Sequence, residues 1–266
     1  MAAAGVLLGL FFAPEFAQAA NRIWGNSGTN FNSGTSWSGG TAPGSNDVAV
    51  FNAAMVTQPN LSGSLTIQEL NFSLAASSGY DLTSSNTGVK LTLTNTGTGA
   101  TSAINAANTS GTNTIDAPII LGAAAASTQT FTQASGGTLV MNGIISSTNS
   151  VTLSLTGGII TLAGANTYSG GTTLASGTTL RINNATALGT GTFTINGGII
   201  DNTTGASITL SNNNAQAWNG DFTFTGTQSL NLGTGAVTLN ATRTVTVNAN
   251  TLTVGGVISG SGFGLT

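Results

Sequence analysis

The residues able to do chemistry are few. Beyond residue 19 the acids are Asp47, Glu69, Asp81, Asp116, Asp201 and Asp221, and the bases are Arg22, Lys90, Arg181 and Arg243. There is no histidine and no cysteine. Thiolate and imidazole metal sites are therefore excluded, leaving only hard cations on oxygen ligands. Serine is abundant, but no histidine exists to activate it and no G-x-S-x-G string occurs. Glycosidic hydrolysis needs two carboxylates roughly 5–10 Å apart. The best-spaced pair is Asp201 with Asp221, placed to stack on successive turns of a coil. Both also read as solvated corner residues, with Asp221 pairing with nothing. The sequence thus assigns no catalytic residue, no cofactor-binding residue and no metal ligand, and it implies no cofactor. The Ca²⁺ nonapeptide G-G-x-G-x-D is absent, and Gly189-Thr190-Gly191 lacks the lysine and the helix of a phosphate loop.

Charge sets further limits. Charged residues make up 4% of the chain, with a formal net charge of −3. No Lys/Arg stripe offers a footprint for nucleic acid. The polar surface must come from Thr, Ser, Asn and Gly.

Those sparse side chains sit on a scaffold of short alternating segments. Val151-Thr152-Leu153-Ser154-Leu155, Asp221-Phe222-Thr223-Phe224, Ser229-Leu230-Asn231-Leu232, Thr244-Val245-Thr246-Val247 and Thr251-Leu252-Thr253-Val254 each alternate apolar and polar residues. This is the pattern of a strand with one buried face. Gly/Asn corners such as Asn196-Gly197-Gly198 separate them. Past the N-terminus no 3.6-residue period is sustained, and Ala123–Ala126 reads as a small-residue strand or a minor insertion. Strands this short, recurring every 7–9 residues, predict an all-β solenoid of about 20–24 residues per coil. About 11 coils stacked at roughly 4.8 Å would make a rod of about 50 Å. A large β-sandwich or barrel is the competing architecture. The alternation turns Val247 inward, so that Val247→Asp is expected to destabilise strongly, and it turns Thr246 to solvent.

The N-terminus reads as a signal peptide over 1–19. An apolar run from Ala2 to Ala13 is followed by Pro14 and by Ala17 and Ala19 in an A-x-A cleavage pattern. No Lys or Arg precedes the run, and a buried helix of the same length is the alternative reading. Residues 20–60 are expected to hold an N-terminal cap and the first coils, and 61–266 the solenoid repeats. Trp24 and Trp37 are expected to plug the open end of the rod, with sugar stacking as the alternative. Tyr168 is expected to pack on a neighbouring coil with its hydroxyl reaching water.

Residues 158–180, GIITLAGANTYSGGTTLASGTTL, resemble the autotransporter-associated β-strand repeat, a passenger-associated repeat. Thr161, Leu162, Gly164, Asn166, Thr167, Tyr168, Gly170, Gly171, Thr172, Gly177, Thr179 and Leu180 fill that family's string, with Thr178 as an extra residue. Gly143-Ile144-Ile145-Ser146 and Gly256-Val257-Ile258-Ser259-Gly260 resemble the segment that precedes such a unit, and a weaker copy lies at 114–146. Trp24, Trp37, Gly44, Asp47 and Phe51 resemble the opening seen before such arrays. The resemblance implies a right-handed parallel β-helix, exported to the cell surface, outer membrane or medium. It implies a non-enzymatic passenger for display or adhesion that meets an unnamed extracellular ligand or surface. A self-associating matrix or sheath protein, or a carbohydrate-active β-helix enzyme, are the alternatives. The last residues repeat the same grammar with no cap, so the sequence predicts a C-terminally incomplete array with any membrane anchor lying beyond it.

Overall fold

The computed structural model describes residues 19–95, 102–123 and 126–266. The expected signal peptide lies outside them apart from Ala19, as does half of the alanine run, residues 124 and 125. The described chain is all-β, with one three-residue 3-10 turn at Gly34–Ser36. It winds as a parallel β-solenoid of about 10 turns.

Three faces repeat along the rod. The first runs from Asn21–Ile23 through Val48–Phe51, Glu69–Phe72 and Ile104–Ala106 to Val237–Leu239 and Ile258–Ser259. The second runs from Asn60–Leu61 through Asp81–Ser84 and Thr112–Ile115 to Phe222–Phe224 and Val245–Val247. The third is strand-like at Leu65–Ile67, Leu91–Leu93, Ile119–Leu121 and Ile145–Ser147, and again at Ile208–Thr209, Leu230–Asn231 and Leu252–Thr253. Every strand pairing among the described residues is parallel, with a register shift between Gln133 and Thr138 at a corner, and inward residues of one coil sit on inward residues of the next. Phe131, Leu155, Leu174, Ile195 and Trp218 form one such interior column and are buried. Stacking closes the core, because a single coil has nothing to cover its own apolar edge.

Coil length is the first departure from expectation. Leu155 pairs with Leu174 and Leu174 with Ile195, which are spacings of 19 and 21. Towards the N-terminus Leu70 pairs with Ile104 and Ile104 with Phe131, spacings of 34 and 27. Part of the excess in the first of these lies in the corner from Leu82 to Leu91, where length does not disturb the ladder.

Corners between the first two faces demand glycine. Gly157 has φ +87°, and a Cβ there would lie 2.0 Å from the Gln133 carbonyl oxygen of the preceding coil. Both the backbone angle and the stacking distance exclude a side chain.

Between Ile145–Ser147 and Ile208–Thr209 the third face holds no strand; isolated backbone bonds remain, Thr167 N–H to Ile145 O and Thr190 N–H to Tyr168 O, both 2.9 Å, and side chains add to them. The Ile145 N–H donates to Asn166 Oδ1 at 2.8 Å, and Asn166 Nδ2 donates to the Ala187 carbonyl at 2.7 Å. One asparagine, 1% exposed, thereby ties three coils together. Tyr168 lies beside it, fully buried. Its hydroxyl meets Thr172 Oγ1 at 2.6 Å, and Thr172 donates onward to the Leu188 carbonyl. This corrects the expectation that the hydroxyl reaches water. Burial also pushes the phenol well above its ordinary value, against the weaker effect of the Thr172 hydrogen bond.

At the N-terminal end Trp24 and Trp37 are buried, their rings 5.2 Å apart and edge to face. Residues 34–40 turn back antiparallel on Ile23–Gly25 through Gly25 N–H to Ser36 O and Ser38 N–H to Ile23 O, both 2.8 Å. Trp37 Nε1 donates to the Phe31 carbonyl. The indoles thus cover the first coil and do not face solvent.

Asp47 clasps this coil. It accepts from Arg22 Nε at 3.0 Å, Gly44 N–H at 2.9 Å and Ala20 N–H at 3.3 Å. Burial pushes its carboxyl up, but the Gly44 and Ala20 amides and the Arg22 charge outweigh that and hold it below the ordinary 3.8. The unfolded chain therefore binds the proton more readily, so the clasp stabilises above the unfolded value and that stability is lost as pH falls through the folded value. Asp47→Asn is expected to lower the melting temperature at pH 7 by the equivalent of about 1 kcal/mol or less. Thermal scans from pH 7 down to below 3.8 should show the gap to the unmodified protein closing. A gap independent of pH would mean that the charge of Asp47 is not what holds the coil.

The last coil behaves differently from the interior. Val247 is in register with Phe224 and shares its inward direction, yet it is 47% exposed whereas Phe224 is 0% exposed. The expectation of a buried Val247 is therefore corrected. Its direction was right, but no described coil lies over it. Thr246 is exposed, as its outward position requires.

Candidate functional site

The Asp201–Asp221 pair does not form. In that part of the rod Ile200 pairs with Phe224, a coil of 24, so Asp201 falls opposite residue 225. It stands four positions along the strand from the Asp221 level, about 13 Å at roughly 3.3 Å per residue. Neither residue is a free corner acid. Asp201 is 5% exposed and accepts from Thr227 Oγ1 at 2.6 Å and from the Thr227 and Asn202 N–H groups at 2.9 Å each. Asp221 accepts from the Thr244 N–H at 3.1 Å and lies 3.8 Å from Arg243. Both staple coils together.

The structure instead assembles a different constellation, at the corner between the second and third faces. Leu82 pairs with Ile115 and Leu91 with Ile119. The corner from Leu82 to Leu91 therefore spans nine positions, whereas the corner stacked on it, Ile115 to Ile119, spans four. The next, Met141 to Ile145, again spans four. The long corner, residues 84–90, stands out from the rod as a wall. The two short ones form a floor beside it, and Thr167 closes the far side. The result is a groove of about 370 Å³.

The floor is rigid because its backbone is committed to the coils. Asn142 and Gly143 both donate to the Ile115 carbonyl at 3.0 Å, and Ile119 donates to the Ile144 carbonyl at 2.9 Å. Gly143 has to be glycine, since a Cβ would lie 2.2 Å from the Ala117 carbonyl oxygen.

The side chains presented to the groove are mixed. Asp116 accepts from Asn142 Nδ2 at 2.8 Å. Lys90 lines the wall, and its ammonium has no hydrogen-bond or ion-pair partner among the described residues. Hydroxyls come from Ser84, Thr87, Ser146 and Thr167, and Ile144, 47% exposed, supplies an apolar surface.

Asp81 stands just behind the wall, in register with Thr114, two residues before Asp116. Its carboxyl is pushed above the ordinary aspartate value, first by burial and then by the charge of Asp116. Asp81 does not line the groove, so Asp116 is the one carboxylate there. Among the described residues no three His, Cys, Asp or Glu side chains come together as a metal site.

The sequence signal for this neighbourhood is the spacing of Asp81 and Asp116, 35 positions apart, which a period of 20–24 hides. It becomes visible only once the local coil is known to take 33, from Leu82 to Ile115.

The fold and the groove define the class, a parallel β-solenoid with a concavity of mixed lining built by an overlong corner. No protein-family model, no curated protein and no solved structure matches the chain.

Proposed function

We propose that this chain is the rod of an exported, non-enzymatic surface or secreted protein that displays or adheres, of the autotransporter-passenger type. The observation that carries the reading is the job done by the string at 158–180. Asn166 bridges three coils where no strand runs, and Tyr168 and Thr172 lock the coil above. Gly164 sits where a Cβ would lie 2.4 Å from the Gly143 carbonyl oxygen. The residues that resemble the passenger-associated repeat thus serve coil stacking, which suits a rod whose function is length and surface. The groove supports binding over catalysis, because a single carboxylate lines it and glycoside hydrolysis uses two.

Expression in a Gram-negative host with its native N-terminus tests the export step. The expected result is a product whose intact mass begins at Ala20. Retention of residues 1–19 on protein recovered from outside the cytoplasm would overturn the cleavage assignment, and full retention in the cytoplasm would overturn export.

A further inference from the structure

We infer that the groove walled by residues 84–90 and floored by Pro118 and Ile144 is a saccharide-binding site. The inference goes beyond the display reading and does not depend on export.

The geometry selects the ligand class. The groove crosses the corners of successive coils, which stack about 4.8 Å apart, close to the length of one pyranose unit. A sugar chain lying along the rod axis therefore meets one rung of side chains per residue. Ser84 and Thr87 belong to the first coil, Asp116 to the next, Asn142 and Ser146 to the third and Thr167 to the fourth. The size falls within the range of small-ligand sites, roughly 300–1,000 Å³.

Chemistry narrows it further. The polar groups are hydroxyls, one amide, one carboxylate and one ammonium, a set that matches a polyol's mixed donors and acceptors. Asn142 Nδ2 is engaged with Asp116, which leaves the Asn142 carbonyl oxygen and the second Asp116 oxygen to accept from ligand hydroxyls. Lys90 supplies the complementary donor. Ile144 offers an apolar surface for the C–H face of a ring.

Other ligands fit worse. A peptide seeking strand addition needs free backbone donors and acceptors, and the floor's amides at Asn142, Gly143 and Ile119 are spent on the coil ladder. A polyanion finds one ammonium beside a carboxylate. A neutral sugar or one with a single acidic group suits this balance.

Titration of the full chain with tetrasaccharides of glucose, galactose, N-acetylglucosamine and galacturonate, followed by calorimetry and by protein NMR, tests the assignment. At least one panel member is expected to bind, with shifts confined to residues 84–90, 116–118, 142–146 and 167. Asn142→Ala and Ile144→Arg, the latter filling the groove from an exposed position, are each expected to weaken binding about tenfold or more. Thr238→Ala, exposed on another face, is the control and should leave affinity unchanged. Lys90→Ala should cost galacturonate more than glucose. Melting temperatures of the variants separate lost binding from lost fold, and Ile144→Arg, which leaves the buried contacts intact, remains informative if Asn142→Ala destabilises. Absence of binding by the whole panel at millimolar concentration, or binding that Ile144→Arg leaves intact, would overturn the inference.

Discussion

Phe224→Asp is expected to lower the unfolding free energy by more than about 4 kcal/mol, while Val247→Asp, one coil later on the same inward column, changes it by about 1 kcal/mol or less. Phe224 is fully buried between Ile200 and Val247. Truncating a buried phenylalanine alone costs about 3–5 kcal/mol, and a carboxylate in its place would have to shed its charge or be left unpaired in the core. Val247 has the same inward direction but is half open to solvent, so a carboxylate there keeps its water. Circular dichroism during chemical denaturation at pH 7 compares the two. Equal losses would mean either that the column is misregistered or that another surface covers Val247 in solution. A concentration series of the unmodified protein distinguishes those two cases. Because solenoids need not unfold in one step, midpoints of the same transition are the quantity to compare.

Asn166→Leu is the second large effect. The substitution keeps side-chain size close and improves intrinsic hydrophobicity, so a packing view predicts little change. The hydrogen-bond view predicts a loss of about 1–3 kcal/mol, since the buried Ile145 N–H loses its partner and the Ala187 carbonyl keeps only the 3.4 Å contact from the Tyr168 hydroxyl. Asn166→Asp probes the two ends separately. It can still accept from Ile145, but it sets a carboxylate against the Ala187 carbonyl, and it should be at least as damaging at neutral pH as leucine. Asn248→Leu, at an exposed position, should fall within about 0.5 kcal/mol. Amide exchange at Ile145 gives a local readout, with protection expected to collapse in Asn166→Leu while Leu230, bonded to the Thr251 carbonyl further along the rod, keeps its own. Unchanged stability in Asn166→Leu would show that the third face does not rely on side-chain bridging.

Much of the rod was legible because β alternation is a local property. In Phe222-Thr223-Phe224 the two phenylalanines are buried and the threonine lies between them facing out, as the pattern alone requires, since successive Cβ atoms point to opposite faces. The same reasoning gave the correct direction for Val247 and Thr246. It failed on the exposure of Val247, because burial depends on whether a coil lies above, and no residue of the strand itself encodes that. It placed Trp24 and Trp37 over the first coil, since two indoles beside the first strand have nowhere apolar to go except that open end.

The candidate site was hidden for a different reason. Asp201 and Asp221 were paired on an assumed coil length, and the real coil is 24 positions there, enough to slide the two acids apart along the strand. Asp81 and Asp116 come together because the local coil runs to 33, and the groove exists because one corner has five residues more than those stacked on it. Asn166 was visible as a motif residue but not as a bridge between coils, since its partners Ile145 and Ala187 lie 21 positions away on each side. The sequence by itself determined strand direction, corner chemistry and the solenoid class, all of which arise from interactions within a few residues. Register, the depth of each side chain and the groove were decided by the tertiary structure, because corners differ in length from coil to coil while the parallel ladder keeps its register along each strand and shifts only at a corner such as Gln133–Thr138.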